Sequence, residues 1–345
     1  MRPRPHVPRA TIADVARAAG VSATTVSHAL SGSGRVNQVT RQRVLDAATR
    51  LGYRPSPRAQ ALRRGRSQAL AIASSMDVAV AGGAAHQGFF LELAAAAAER
   101  AFDHRQTMVL LPPMGPSLPD ALPGLSVDGV IVVEPAEGDP IIDRLRADAV
   151  PFVAVGSFPG ARDDELVIPL QTEAVATILI EHLVGTGSRR PALLLGDRDR
   201  VTYRDAEATY RRIAEREGWQ PIIRTVPEAD GEDGGYAATR QLLRDDPEVD
   251  AVAAWVDAFA SGAVRAAAEA GRIPPELTVV TRYDGPRSRA TRPPITAVQL
   301  RLPEAARAAV DLLLARIAGE PAGPVSLPAP ELVIRESSGQ HQHDA

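Results

Sequence analysis

Residues 11–30 read Thr11-Ile12-Ala13-Asp14-Val15-Ala16-Arg17-Ala18-Ala19-Gly20-Val21-Ser22-Ala23-Thr24-Thr25-Val26-Ser27-His28-Ala29-Leu30. Thr11 is a good N-cap, and Asp14, three residues on, can return the hydrogen bond, so a helix is predicted over 11–18. Ile12, Val15, Ala16 and Ala19 then share one face at helical spacing. Gly20 permits the tight turn that ends it. Ser22 caps a second helix, about 23–30, with Val26, Ala29 and Leu30 inward. Beyond the breaker Ser31-Gly32-Ser33-Gly34, Asn37 caps a third helix, about 38–51. Val44, Leu45, Ala48 and Leu51 form its inner face, and Gly52 stands just past its end.

Two short helices around a glycine turn, followed by a third, form a helix-turn-helix arrangement. The charge distribution agrees with it. Residues 1–66 carry 13 arginines against Asp14 and Asp46, a net +11, whereas residues 67–345 carry 26 arginines against 40 carboxylates, a net −14. The overall −3 of the 345-residue chain is thus the sum of a basic head and an acidic body, and the head alone is suited to a polyanion. All 39 basic residues are arginine. The absence of cysteine excludes disulfides, thiol nucleophiles and Cys-ligated zinc. No apolar run approaches the roughly 18 residues of a membrane span. The basic start Met1-Arg2-Pro3-Arg4-Pro5-His6 has no apolar segment behind it, so a cytoplasmic protein without a membrane partner is expected. His6, His28, His86, His104, His182, His341 and His343 show no metal-ligand spacing, and no phosphate loop or nucleophile elbow occurs. Neither an enzyme nor a metal or cofactor is expected.

Residues 53–67 read as a bridge, in which Pro55 and Pro57 bar a helix before them and Ser56 caps a short one, roughly 57–64. From Gln68 the texture changes. Apolar runs at 69–73, 108–111, 127–133, 151–155, 191–195, 249–255 and 277–280 alternate with helical patterns at about 89–102, 139–147, 172–185, 204–217, 234–244, 259–270 and 303–318. Non-alternating apolar runs separated by helices are parallel strands buried on both faces, which makes this an α/β body. Its length exceeds one open sheet, so two doubly wound lobes with a cleft are expected.

Thr11-Ile12-Ala13-Asp14-Val15-Ala16, Ala19-Gly20-Val21-Ser22, Thr25-Val26-Ser27, Arg43-Val44-Leu45, Leu51-Gly52-Tyr53-Arg54-Pro55 and Ala59-Gln60-Ala61-Leu62-Arg63 resemble the DNA-reading segment of the lactose/galactose-repressor family. The body is similar to that family through Phe89-Phe90, Val127-Asp128-Gly129-Val130-Ile131, Asp257, Tyr283-Asp284 and Arg335-Glu336-Ser337. The resemblance implies a helix-turn-helix head at 1–54, a hinge with a short helix at 55–67 and a two-lobed body at 68–337 resembling periplasmic sugar-binding proteins. Its first lobe would hold about 68–168 plus 298–322 and its second about 169–297 plus 323–337, leaving 338–345 as a frayed tail.

What the resemblance implies for function is a transcriptional regulator, in the main a repressor. It would bind a palindromic double-stranded DNA operator as a homodimer, switched by a small-molecule effector, a sugar or another metabolite, in the interlobe cleft. A small-molecule binding protein with no specific DNA target is the alternative. DNA contacts would come from Thr11, Ser22, Ala23, Thr24, Thr25, Ser27, His28, Arg35, Tyr53, Arg54, Ala59, Leu62 and Arg63. Ala23, Thr24 and His28 take the base-reading positions, and Leu62 wedges into the minor groove. His28 is otherwise a plain surface histidine, and Leu62 otherwise packs on the body. Effector contacts would come from Phe89, Phe90, Arg204, Asp257 and Asp284, where the two aspartates are equally readable as turn or cap carboxylates. This chain departs from the family there. Val256 stands where an Asn usually precedes Asp257, the cleft Arg falls on Ala206 with Arg204 as its substitute, and Leu170-Gln171 replaces an Asp-Asn. Several polar partners for a sugar are missing.

Overall fold

The computed structural model describes residues 10–31, 36–53, 67–81, 88–111, 113, 124–272, 274–321, 323 and 325–339. The chain divides into two compact units, Met1–Ser67 and Gln68–Ala345.

In the first unit α1 (Ile12–Ala19), α2 (Ala23–Ser31) and α3 (Gln38–Arg50) pack around Val15, Ala16, Ala19, Val26, Ala29, Val44, Ala47 and Ala48. The caps follow the sequence. Thr11 and Asp14 form a full capping box, Gly20 ends α1 in the left-handed region at φ 64°, and the Asn37 carboxamide accepts from the Thr40 N–H at 2.8 Å. The inner stripe of α3 is Val44, Ala47 and Ala48, not the expected set with Leu45 and Leu51, which are 39% and 40% exposed. Leu45 lies about 100° around the helix from Val44, and the close approach of three short helices selects alanine over leucine. The bridge helix expected over 57–64 lies outside the described residues.

The second unit contains two sheets. β1 (Ala69–Ala73), β2 (Thr107–Leu110), β3 (Gly129–Val133), β4 (Phe152–Val155) and β5 (Leu166–Ile168) form an all-parallel sheet in the order β2-β1-β3-β4-β5. α4 (Val78–Ala81), α5 (Phe89–Asp103) and α6 (Pro140–Ala147) accompany it. β6 (Pro191–Gly196), β7 (Ile222–Val226), β8 (Ala251–Ala254), β9 (Thr278–Thr281), β10 (Thr296–Gln299) and β11 (Glu331–Val333) form the other, in the order β11-β10-β9-β8-β6-β7, with only β11 antiparallel. Around it run α7 (Thr172–Gly185), α8 (Val201–Glu217), α9 (Gly231–Asp245), α10 (Asp257–Glu269) and α11 (Pro286–Ala290). α12 (Leu302–Ala318) returns to pack on α5 and the first sheet before β11 closes the second. Both lobes are α/β with parallel sheets.

The seven apolar runs became β1–β4, β6, β8 and β9. Four strands had no apolar run to announce them. β5 and β11 have three residues each, β7 carries Arg224 and Thr225 on an edge, and β10 has only Ala297 and Val298 apolar between Thr296 and Gln299. Two glycines set the geometry near the cleft. A Cβ on Gly235 would stand 2.4 Å from the Phe259 backbone and one on Gly262 2.1 Å from the Glu232 carbonyl oxygen. α9 and α10 therefore cross backbone to backbone, which fixes where the N-terminus of α10 and its Asp257 lie.

Candidate functional site

On the first unit the candidate surface is the outer face of α2. The Ser22 hydroxyl accepts from the Thr25 N–H at 3.1 Å and lies 2.9 Å from the Thr25 hydroxyl, so this cap starts α2. Val26 and Ala29 are buried beneath, which leaves Ser22, Ala23, Thr24 and His28 exposed and Thr25 and Ser27 half-buried. Thr24 and His28, four residues apart, share one face. Thr11 is exposed but committed to its cap: its hydroxyl donates to Asp14 Oδ2 at 2.7 Å, and these bonds hold the Asp14 carboxyl below its ordinary range. Tyr53 packs half-buried on the three-helix core. The result is short hydroxyls and an imidazole on the first turn and a half of a helix, groups with the reach for phosphate oxygens and base edges. Arg35, Arg54, Ala59, Leu62 and Arg63 lie outside the described residues.

The second unit holds a cavity at the C-terminal ends of both parallel sheets, the place where doubly wound folds bind ligands. Its walls include Phe89 at the start of α5, Glu134 just after β3, Arg200 and Tyr203 at the start of α8, and Trp255, Asp257 and Arg282 after β8 and β9. It encloses about 30 Å³, room for roughly one water, because the walls are joined to one another. Arg282 donates to Glu134 Oε1 at 2.7 Å, and its guanidinium lies 5.3 Å from the Phe89 ring and 5.8 Å from that of Trp255. Arg200 forks onto Glu228 at 2.8 and 2.9 Å, with both side chains almost fully buried, and also donates to the Glu134 carbonyl. Burial acts to lower the Arg200 pKa, but Glu228 outweighs it and leaves the guanidinium above its ordinary value. The Tyr203 hydroxyl donates to Glu228 Oε1 at 2.8 Å, and burial followed by the Glu228 charge raises its pKa. Tyr283 donates to Glu92 at 2.6 Å and packs edge-on against Phe89 at 5.6 Å. Asp257 is the first residue of α10. Burial pushes its carboxyl up to about 6, against the opposing pull of Arg287, whose Nε stands 3.6 Å away.

Of the five residues expected around an effector, Phe89 and Asp257 line this cavity. Phe90 is buried in the adjoining core. Arg204 is half exposed, and its ion pairs with Glu137, at 2.9 Å, and Asp199 keep it outside the lining. Asp284 is held by Arg289 at 3.0 Å and Arg335 at 2.7 Å and does not line the cavity either. Sequence reasoning missed Glu134, Arg200, Tyr203, Trp255, Arg282 and Tyr283. A signal existed: Glu134 directly follows the apolar run 127–133, Trp255 ends the run 249–255, and Arg282 stands two past the run 277–280. Among the described residues no cluster of His, Asp and Glu has the arrangement of a metal site, and no helix is long and apolar enough to cross a membrane.

Comparison with known proteins gives a consistent result. Residues 11–56 match the model of the bacterial regulatory proteins of the lacI family, and residues 180–338 match a periplasmic binding protein-like domain. The HTH-type transcriptional regulator MalR of Streptomyces coelicolor is 33% identical over 350 residues, covering 95% of this chain and 96% of that protein. A transcriptional regulator CelR–cellobiose complex superposes with a TM-score of 0.71 at 28% identity, covering 96% of this chain and all of that one. The lac repressor dimer bound to operator and an anti-inducer superposes with a TM-score of 0.74 at 25% identity, covering 96% and 99%. With its capped helix-turn-helix head and its body of two parallel-sheet lobes, the chain belongs to the lacI family of bacterial regulatory proteins and is a DNA-binding transcriptional regulator.

Proposed function

We propose that this regulator is a repressor that binds a palindromic operator as a homodimer and responds to a small-molecule effector between the lobes of its body. The observation that carries the reading is the α2 surface, where Ser22, Ala23, Thr24 and His28 stand exposed over a buried Val26–Ala29 base. Ala23 and Thr24 contact thymine methyl groups, His28 a purine edge, and Ser22, Thr25, Ser27, Thr11 and Tyr53 the phosphates. Arg35, Arg54, Ala59 and Arg63 add backbone contacts, and Leu62 wedges the minor groove. Two heads on one operator require twofold symmetry, as in the lac repressor dimer on its operator. The effector reading is supported by the cavity at the sheet ends and by the cellobiose-bound neighbour. The test is footprinting on the DNA upstream of the protein's own gene. Protection of a palindrome, weakening steeply with salt, is expected; no protection at any salt overturns the reading.

A further inference from the structure

The interlobe cavity differs from a vacant ligand pocket in one respect: a side chain of the protein already lies where a ligand's charged head would be. Arg282 reaches from the end of β9 to Glu134 at the end of β3, so it joins the two sheets. Its guanidinium lies against Phe89 from the α5 side and Trp255 from the β8 side. Both partners of the ion pair are under 10% exposed. The Arg282 Nε is buried without a hydrogen-bond partner, so the cation is held by one carboxylate and two ring faces rather than by a saturated network. The remaining volume of about 30 Å³ is an order of magnitude below the roughly 300 Å³ of a small-molecule site. In this arrangement an effector gains room only if a side chain yields or the lobes part.

We propose that this cleft is a cation box occupied by the protein's own Arg282, and that the effector class which displaces it is an organic cation with a compact or planar charged head. The proposal rests on the reading of the cleft as the effector site and adds the chemistry. With Arg282 withdrawn, the charged groups left in the lining are Glu134, Asp257 and Arg200; Arg200 is already committed to Glu228 and Asp257 faces Arg287 at 3.6 Å, so Glu134 is the carboxylate left without a counter-charge. A neutral sugar entering in its place leaves Glu134 buried without a counter-charge, and an anion adds to the imbalance. A guanidino or amino head replaces the bond to Glu134 and the two aromatic contacts together.

The experiment uses the full chain with Arg282→Ala, which empties the box, and methylguanidinium as the probe. Methylurea serves as the neutral isostere and glucose as the sugar control. Tryptophan fluorescence, to which Trp255 contributes from the box wall, and the thermal midpoint are followed. Methylguanidinium should give a saturable fluorescence change and a raised midpoint at millimolar concentration, methylurea and glucose should give neither, and adding Glu134→Gln should weaken the response at least tenfold. An equal response to methylurea, or none to methylguanidinium in the folded variant, overturns the proposal. If Arg282→Ala does not fold, Arg282→Lys is compared with Arg282→Met. The lysine variant, which keeps the cation, should melt at the higher temperature, and equal midpoints overturn the proposal. A wild-type protein that fails to protect DNA defeats the repressor reading while leaving these outcomes intact.

Discussion

The head and the body of this regulator hold their functional groups in opposite ways. In the head the candidate contacts on α2 are short and mostly exposed, set on a helix whose cap, Ser22, lies within six residues of the groups it positions. In the body they are long, charged and buried, and each is held by a partner far along the chain. Arg282 and Glu134 are 148 residues apart, Tyr283 and Glu92 191. A helix face over a buried stripe follows from local spacing. A cavity joined by ion pairs across two sheets follows from topology, which places strand ends together only after the whole unit has folded.

Legibility followed the same division. The caps of α1, α2 and α3 and the faces of α1 and α2 were readable from Thr11, Asp14, Ser22 and Asn37, and the parallel sheets from seven apolar runs. The cleft was readable only at Phe89 and Asp257. Arg204 and Asp284 fell near the expected positions but found carboxylate or guanidinium partners elsewhere. Within the acidic run Asp163-Asp164-Glu165, the Glu165 side chain is only 7% exposed and forks with Arg146 at 2.7 and 2.9 Å. Charge patterning along a loop does not reveal a partner 19 residues back.

The sharpest way to break the contrast is to remove one half of a buried pair. Glu228→Gln leaves Arg200, whose side chain is 2% exposed, without its ion-pair partner. The expected loss is about 3–5 kcal/mol of body stability, read as a lower denaturation midpoint of the body with the head's helical signal retained. A change within about 0.5 kcal/mol, the range of ordinary surface substitutions, would mean that this pair is solvated after all.

Asp257 tests whether burial also governs a group at the cavity wall. Its folded pKa, pushed up to about 6 from an ordinary 3.8, means the folded state binds the proton more tightly than the unfolded chain. Stability therefore falls as pH rises from about 4 to about 6, by roughly 3 kcal/mol. Asp257→Asn removes that slope. The variant should match the wild type near pH 3 and exceed it by about 2–3 kcal/mol at pH 7.5. Parallel melting curves across this range would place Asp257 in a water-like environment.

For the head, His28→Ala removes an exposed side chain that no core contact requires. Stability should not move. Affinity for the protected operator should fall by about 1–3 kcal/mol, with binding to unrelated DNA unchanged. Equal losses on both DNAs would reassign His28 to the phosphates, and no loss on either would make it a plain surface histidine.

The smallest effect separates structure from recognition at a residue that serves both. Thr11 accepts from the Asp14 N–H at 3.4 Å and donates to its carboxylate at 2.7 Å, while remaining exposed. Thr11→Ala removes the cap and should lower the stability of the head by about 1 kcal/mol. Thr11→Ser retains the hydroxyl and should restore it. Operator affinity decides the second role, because a hydroxyl on a phosphate is needed whether or not the helix is already folded. Measured well below the melting range of the head, Thr11→Ala should bind the operator more weakly and Thr11→Ser as the wild type does. If both bind alike there, the hydroxyl acts only on the helix, and Thr11 belongs to the architecture of the head rather than to its contact surface.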